Sequence, residues 1–398
     1  MTIRTSRRAF VGAALPAALA SRAQGANDRI RLGVIGTGSR GVFLLGELQK
    51  CQDYNIAVNA VCDVWRPNRE RAARIAQETW GAAPRETTDY RDLLSWEDVD
   101  AVLISTPDFT HSRILKEAVE AGKDVYCEKP MGVDFNEAKA AYLAVKRSRQ
   151  VVQIGTQRRS DGQFVAAAGK VQSGILGKVT RVETAVNFYE PRWRRDYSGV
   201  TGADVDWDRF RFGGRRVPFD PRRLRQWQLY RDYTNGIPGL WMSHFIDLIP
   251  WFLGDPYPAS ATANGGVYLW KDGRETYDVF HALLDYPQGV LVGFAMSLTN
   301  TGGNRNHWYG TRGTLDMDKF EITGAGGDPE DHIEGTVQME AESVNSHMAN
   351  FLECVRSRRQ PRADVQAGFS HSAAGCMCAM ARDSGRRVRF DADRLEVV

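Results

Sequence analysis

The sequence predicts an α/β fold: an N-terminal doubly wound unit with a parallel sheet, followed by an α+β unit with a large, open, mostly antiparallel sheet. Two observations carry this. From Ile30, short β-branched runs alternate with helical stretches, the order of a parallel sheet with crossover helices. After about residue 156 the texture changes to longer strands of alternating polarity. A length of 398 residues suits two such units, and 42% hydrophobic with 25% charged residues is ordinary for a chain that buries a core.

The first strand runs from Ile30 to Ile35, and a helix follows Arg40. A second strand, Ala57 to Cys62, leads into Asp63. Residues 67 to 79 form a charged helix, Asp98 to Ser105 a third or later strand, Ser112 to Ala121 a helix and Asp124 to Cys127 a further strand. A helix over 134 to 148 and a strand from Val151 to Ile154 complete a nucleotide-binding half, residues 29–155. In residues 156–398, Arg181 to Tyr189, Val279 to Tyr286 and Gly289 to Thr299 read as strands of the open sheet. Residues 190 to 235, rich in Arg, Trp, Tyr and Gly with weak periodicity, read as long loops around a site. Helical stretches Ser346 to Ser357 and Ala363 to Gly385 are expected to pack on that sheet.

Residues 1–28 read as a signal peptide and short linker. Arg7-Arg8 precede an apolar run to Ala20 that is short for a bilayer span, and Ala18-Leu19-Ala20 offers a small-residue cleavage site. The paired arginines resemble a twin-arginine signal, the route for proteins exported folded, which predicts a periplasmic protein with no membrane segment once processed. The net charge is +3, and Arg4, Arg7 and Arg8 account for it, so a nucleic-acid partner has no electrostatic support. The six cysteines, at 51, 62, 127, 354, 376 and 378, show no CxxC and no histidine at zinc-ligand spacing. They read as small apolar core residues, and no metal site is expected.

Gly36-Thr37-Gly38-Ser39-Arg40-Gly41 is a GxGxxG directly after a strand and opening a helix. Its first glycine makes the tight turn, the second admits a pyrophosphate, the third lets helix and strand pack, and the helix N-terminus offers free N–H groups. Asp63 ends the next strand, 22 residues beyond Gly41, where a carboxylate accepts from ribose hydroxyls. The motif and its acid together predict a Rossmann dinucleotide site. The carboxylate repels a 2′-phosphate and favours NAD; Arg66 and Arg69 nearby leave NADP open. Ser105-Thr106-Pro107-Asp108 ends another strand beside the same crevice, with His111 just beyond.

Cys127-Glu128-Lys129-Pro130 ends the next strand and brings an ammonium to that crevice, where it can favour an alkoxide as hydride leaves its carbon. These elements, with Gly310-Thr311-Arg312-Gly313-Thr314-Leu315, resemble the glucose–fructose oxidoreductase, inositol dehydrogenase and rhizopine-catabolism (Gfo/Idh/MocA) family over nearly all of residues 28 to 398. The resemblance implies that Lys129 is catalytic and touches both nicotinamide and substrate. It also implies that His244, in Gly239-Leu240-Trp241-Met242-Ser243-His244-Phe245-Ile246-Asp247, takes the hydroxyl proton. Asp247, three residues on, shares a helix face with His244 and is expected to orient the ring or hold substrate. One departure stands out. The family usually carries an aspartate four residues before the histidine and a glycine two before it; here these are Leu240 and Met242.

Glu128 and Gln157 join the expected cofactor contacts, and Arg158, Tyr230 and Tyr233 the expected substrate contacts. Arg192-Trp193-Arg194-Arg195, Trp207 and the stretch from Arg222 to Trp227 are candidates to stack on sugar rings or to bind an acidic substrate through bidentate arginines, with Trp favoured over Arg as the sugar contact. The function this implies is hydride transfer between a sugar or polyol carbon and a tightly held nicotinamide, cycled by a second sugar or ketone. The alternatives are a glycosidase that oxidises the sugar transiently and a sugar sensor with a structural dinucleotide. One uncovered face of the open sheet, and the assembly of relatives, imply a homodimer or homotetramer.

Overall fold

The computed structural model describes residues 28–398, so the predicted export signal lies outside the described residues. Two sheets organise the chain. The first alternates strands and helices: β1 (Ile30–Ile35), α1 (Ser39–Gln49), β2 (Ile56–Cys62), α2 (Arg66–Trp80), β3 (Arg85–Thr87), α3 (Tyr90–Ser95), β4 (Ala101–Ile104), α4 (His111–Glu120), β5 (Asp124–Cys127), α5 (Phe135–Arg147) and β6 (Val152–Ile154). The parallel order is β3-β2-β1-β4-β5-β6, with the chain reversing its direction of winding between β1 and β4. In such sheets the crevice at this reversal, outside the C-terminal strand ends, receives the ligand. β3, three partly exposed residues, and the short α3 carry too little periodicity to stand out in sequence.

The second unit comprises α6 (Gly162–Gln172), β7 (Val179–Asn187), α7 (Trp207–Arg211), α8 (Pro221–Arg225), α9 (Ser243–Ile246), α10 (Leu248–Leu253), β8 (Ser260–Gly266), β9 (Val279–Tyr286), β10 (Val290–Ser297), β11 (Arg305–Gly310), β12 (Gly313–Asp316), β13 (Glu321–Thr323), β14 (Thr336–Gln338), α11 (His347–Ser357), α12 (Val365–Ser384), β15 (Val388–Asp391) and β16 (Glu396–Val397). Its ten strands run β14-β13-β12-β11-β7-β10-β9-β8-β15-β16, antiparallel except where β7 pairs in parallel with β10. Along β9 every second residue is buried, so only one face is covered. Phe280, Phe294, Trp308 and Leu315 fill that face beneath α6, α9, α10 and α12. Leu283 and Leu291 stand 51% and 45% exposed on the other.

One expectation is corrected. Helix α11 packs on the first sheet, not the second: Met348, Phe351 and Leu352 share a core with Leu32, Val34, Leu44 and Tyr126. Helices α1 and α2 reach only part of that sheet face. Burying the three α11 side chains over the remainder contributes on the order of 1.5–3 kcal/mol each. Helix α12 spans both units, with Phe369 and Cys376 in the core of the first and Met377 and Cys378 in that of the second. All six cysteines are buried and free, as their apolar surroundings suggested.

A buried polar cluster joins the units. Arg159 Nε and Nη2 donate to Asp247 at 2.8 and 3.1 Å, with side chains only 9% and 2% exposed. His371 accepts from the Met131 N–H through Nε2 at 3.2 Å, so Nδ1 carries its hydrogen toward Asp247, 3.8 Å away. Removing one member of a buried ion pair strands the other's charge, at a cost of about 3–5 kcal/mol. Arg159→Met should therefore lower the urea-unfolding free energy by about that much, and adding Asp247→Leu should restore most of it. A loss under about 1 kcal/mol in the single variant would contradict this role.

Candidate active site

The glycine turn at the end of β1 has the geometry its residues require. Gly36 sits at φ +85°, and a Cβ there would lie 2.5 Å from the Thr106 backbone nitrogen. A Cβ on Gly41 would fall 2.2 Å from the Gly36 carbonyl oxygen, so α1 can approach the turn only as glycine. A Cβ on Gly38 meets nothing closer than 3.8 Å, which leaves backbone N–H groups open to an incoming pyrophosphate. Ser105 Oγ donates to the Gly36 carbonyl at 2.7 Å and braces the turn. Thr37 is fully buried, and both its N–H and its hydroxyl donate to Asp63, at 2.7 and 3.1 Å. Burial raises the Asp63 carboxyl above its ordinary range, against these bonds and one from the Trp65 N–H.

Two cavities share Gly36, Asp63, Val64, Thr106, Pro107 and Phe210 and form one crevice along the strand ends. The first, of about 600 Å³, lies beside Asp63 and Ile114 and is roofed by residues 206 to 213 of the second unit. That roof is tied down by the Asp206 N–H donating to the Val64 carbonyl at 2.9 Å, by Arg66 pairing with Asp204, and by Phe210 and Phe212 edge-on to Phe109. The second cavity, of about 340 Å³, holds Gly38, Ser39, Arg40, Asp108, His111, Glu128, Lys129, Gln157, Leu240 and His244, with Arg195 and Trp227 closing it.

Lys129 Nζ donates to the Leu240 carbonyl at 2.7 Å. Burial drives its pKa down to about 8, against the pull of Glu128 and Asp108. Glu128 is 4% exposed and accepts from Arg40 Nε at 2.7 Å and Gln157 Nε2 at 3.2 Å, so a residue of the glycine helix fixes the carboxylate next to Lys129. The His244 ring hydrogen-bonds no group among the described residues. Burial, then the cations Lys129, Arg158 and Arg40, hold it well below the ordinary histidine range. The cavity thus combines an ammonium near its titration point with a neutral imidazole whose lone pair is free, the pairing needed to remove a hydroxyl proton and stabilise an oxyanion.

Several expected contacts lie elsewhere. Asp247 does not reach His244; burial would raise its carboxyl, but Arg159 holds it lower, and it is a buried structural anion. Tyr230 and Tyr233 are buried in an aromatic cluster with Val205, Phe210, Leu224 and Leu229, where Tyr233 packs on Phe109 at 5.2 Å. The hydrophobic requirement of the long 190–235 segment takes them. Arg158 donates to the His244 carbonyl at 2.9 Å and is stacked between Phe164 and Phe245, so it supports the catalytic helix instead of lining the cavity. Arg66 turns to Asp204 and Glu70, while Arg69 pairs with Glu86 and donates from Nη1 to the Asp63 backbone carbonyl at 3.0 Å, so both cations near Asp63 are already engaged and neither meets its carboxylate. His111 is buried, with ring nitrogens 2.8 Å from the Thr106 and Pro130 carbonyls; it joins two loops of the crevice. Trp207 stacks on Phe210, within the cluster.

Asp108, which is outside the expected contacts, lines the lysine cavity together with Arg195 and Trp227 from the candidate substrate-contact stretches. For Asp108 a signal existed, since it follows Pro107 at a strand end. The path of the 190–235 loops brings the other two there.

Two family descriptions match the chain: the oxidoreductase family, NAD-binding Rossmann fold, over residues 30–156, and its C-terminal alpha/beta domain, over residues 210–390. A scyllo-inositol 2-dehydrogenase (NAD(+)) of Bacillus subtilis is 31% identical over 150 residues, 38% of this chain and 42% of the relative. An inositol 2-dehydrogenase of Rubrobacter xylanophilus is 35% identical over 155 residues, 39% and 43% of the two chains. The chain thus spans less than half the length of these curated relatives. The WlbA dehydrogenase of Bordetella pertussis, solved with NADH and UDP-GlcNAcA, shares the fold at a TM-score of 0.69 and 17% identity, covering 92% of this chain and 100% of that one. With both family descriptions matched, over residues 30–156 and 210–390, the chain belongs to the Gfo/Idh/MocA oxidoreductase family.

Proposed function

We propose that this protein is an NAD(P)-dependent oxidoreductase that moves hydride between a sugar or polyol carbon and a tightly held nicotinamide cofactor. The observation that carries the reading is the single cavity in which Lys129 and the unpartnered His244 face the glycine turn. The crevice suits a dinucleotide: Gly38 leaves room for a pyrophosphate, Ser39 and Arg40 open α1, and Asp63 meets the ribose end. When bound, the dinucleotide supplies the hydride acceptor or donor. The chain's own residues do the rest. His244 accepts the hydroxyl proton, Lys129 holds the developing oxyanion, and Arg195 and Trp227 shield the cavity from water.

The roof of residues 206 to 213 supports slow exchange of the cofactor, which suits export as a folded, loaded protein to the periplasm. It also suits a second reading, glycoside cleavage through transient oxidation, in which the cofactor returns to its starting state each turnover. Paired cations around Asp63 support NAD over NADP. The bare face of the ten-stranded sheet supports a homodimer or homotetramer.

Protein purified without added nucleotide should release NAD on acid treatment, and its nicotinamide absorbance should change on adding a free sugar or polyol. Glycoside cleavage without net reduction would favour the second reading, and no nucleotide with no response would overturn both. Gly38→Ala should unfold at the wild-type temperature yet lose dinucleotide affinity by tenfold or more, roughly 1.4 kcal/mol, whereas Gly41→Ala should damage the fold itself. Lys129→Ala should lower kcat by about 10²–10³ with the dinucleotide retained. Because the charged ammonium is lost as pH rises through about 8, wild-type kcat should fall above that pH. Lys129→Arg should not show the fall.

A further inference from the structure

Asp108 is 2% exposed, yet it lines the cavity that contains Lys129 and His244. Its Oδ2 accepts from Thr234 Oγ1 at 2.9 Å, and that hydroxyl in turn accepts from the Gly236 N–H at 3.0 Å, so the hydroxyl's one hydrogen is committed to Asp108. Its Oδ1 has no hydrogen-bond partner among the described residues. A buried carboxylate oxygen left unmet is costly and is kept where a proton or a ligand completes it. Leu240 in the same cavity is apolar, so among the described residues lining it the carboxylates are Asp63, Asp108 and Glu128, and Glu128 is held by Arg40 and Gln157.

We propose that Asp108 is the group that stores the proton released when the substrate hydroxyl is oxidised. The inference rests on the oxidoreductase reading above. In that reaction the C–H electron pair leaves as hydride to the nicotinamide, the C–O bond gains its second pair from the breaking O–H bond, and one proton remains. His244 takes it first but cannot retain it, since burial and the surrounding cations disfavour an imidazolium. The Asp108 carboxylate then becomes a neutral acid, and the proton leaves to solvent between turnovers. The groups around it are Lys129 and Glu128 on the loop after β5, His111 at the start of α4, His244 on α9 and Cys376 on α12. Burial lifts the Asp108 pKa to about 7 while Lys129 and Thr234 pull it down, which places the transfer within reach of neutral pH.

The test uses dinucleotide-loaded protein and two readouts. In the wild type, an infrared band of a buried carboxyl should titrate near pH 7, and kcat for oxidation should rise with pH through the same range, since the carboxylate must be ionised to accept. Asp108→Asn, which can still accept from Thr234, should lose the band and the rise and lower kcat about 10²-fold, with dinucleotide affinity unchanged. Thr234→Val removes a hydrogen bond to the ionised form and should move both transitions to higher pH. Retention of the band and the pH rise in Asp108→Asn, or unmoved transitions in Thr234→Val, would overturn the assignment. Wild-type protein that oxidises no sugar or polyol would sink the oxidoreductase reading and this step with it; turnover with an unchanged pH profile in Asp108→Asn would sink Asp108 alone.

Discussion

The active site depends on how one five-residue loop, Glu128 to Gly132, is held. Arg40 fixes the Glu128 carboxylate, Lys129 reaches the Leu240 carbonyl, and His111 and Ser112 bond the Pro130 and Met131 carbonyls. From α12, His371 and Ser372 receive the Met131 and Gly132 N–H groups. Elements from both units therefore meet on one stretch of backbone, and Gly132 is forced by contact: a Cβ there would lie 2.2 Å from Ser112 Oγ. A lysine carried on so constrained a loop loses little further freedom when substrate arrives, which is the preorganisation an oxyanion site requires.

That constraint sets the electrostatics. The cavity gathers Lys129, Arg40 and, behind His244, Arg158, opposed by Glu128 and Asp108. Arg40 and Glu128 neutralise each other directly, and Arg158 is spent on a backbone carbonyl and two aromatic rings. Beside the lysine end of the cavity stand three groups with shifted titration, Lys129, His244 and Asp108. Burial acts on all three in the same sense, against the charged form, which takes the lysine and histidine down and the aspartate up. Strongly shifted groups gathered in a cleft are the usual mark of a functional site.

Much of this was legible in the sequence. The glycine turn, Asp63, Lys129 and the alternation of strands and helices are local signals, each set by steric or hydrogen-bonding rules acting within a few residues. The strand over Val279–Tyr286 was placed to the residue because its period-two burial is unambiguous. The failures share a cause as well. Asp247, Tyr230, Tyr233 and Arg158 are the right residue types close in sequence to the site, but helix spacing alone did not reveal that Arg159 and His371 claim Asp247 from elsewhere in the fold, or that Leu229 and Phe210 bury the tyrosines. Helix α11 was assigned to the wrong sheet because an amphipathic pattern tells which face is buried and not against what.

The departure at Leu240 is less severe than the sequence implies. It lies in a wide π-type turn, Pro238–Met242, a geometry common where a helix is shaped around a functional group. Lys129 binds the backbone carbonyl of residue 240, which any side chain leaves in place. The departure from the pattern the sequence resembles therefore leaves the lysine its anchor and its direction. Leu240 lines the same cavity as Lys129 and His244, and an apolar side chain there offers neither a counter-charge, so burial stays the leading cause that holds both below their values in water.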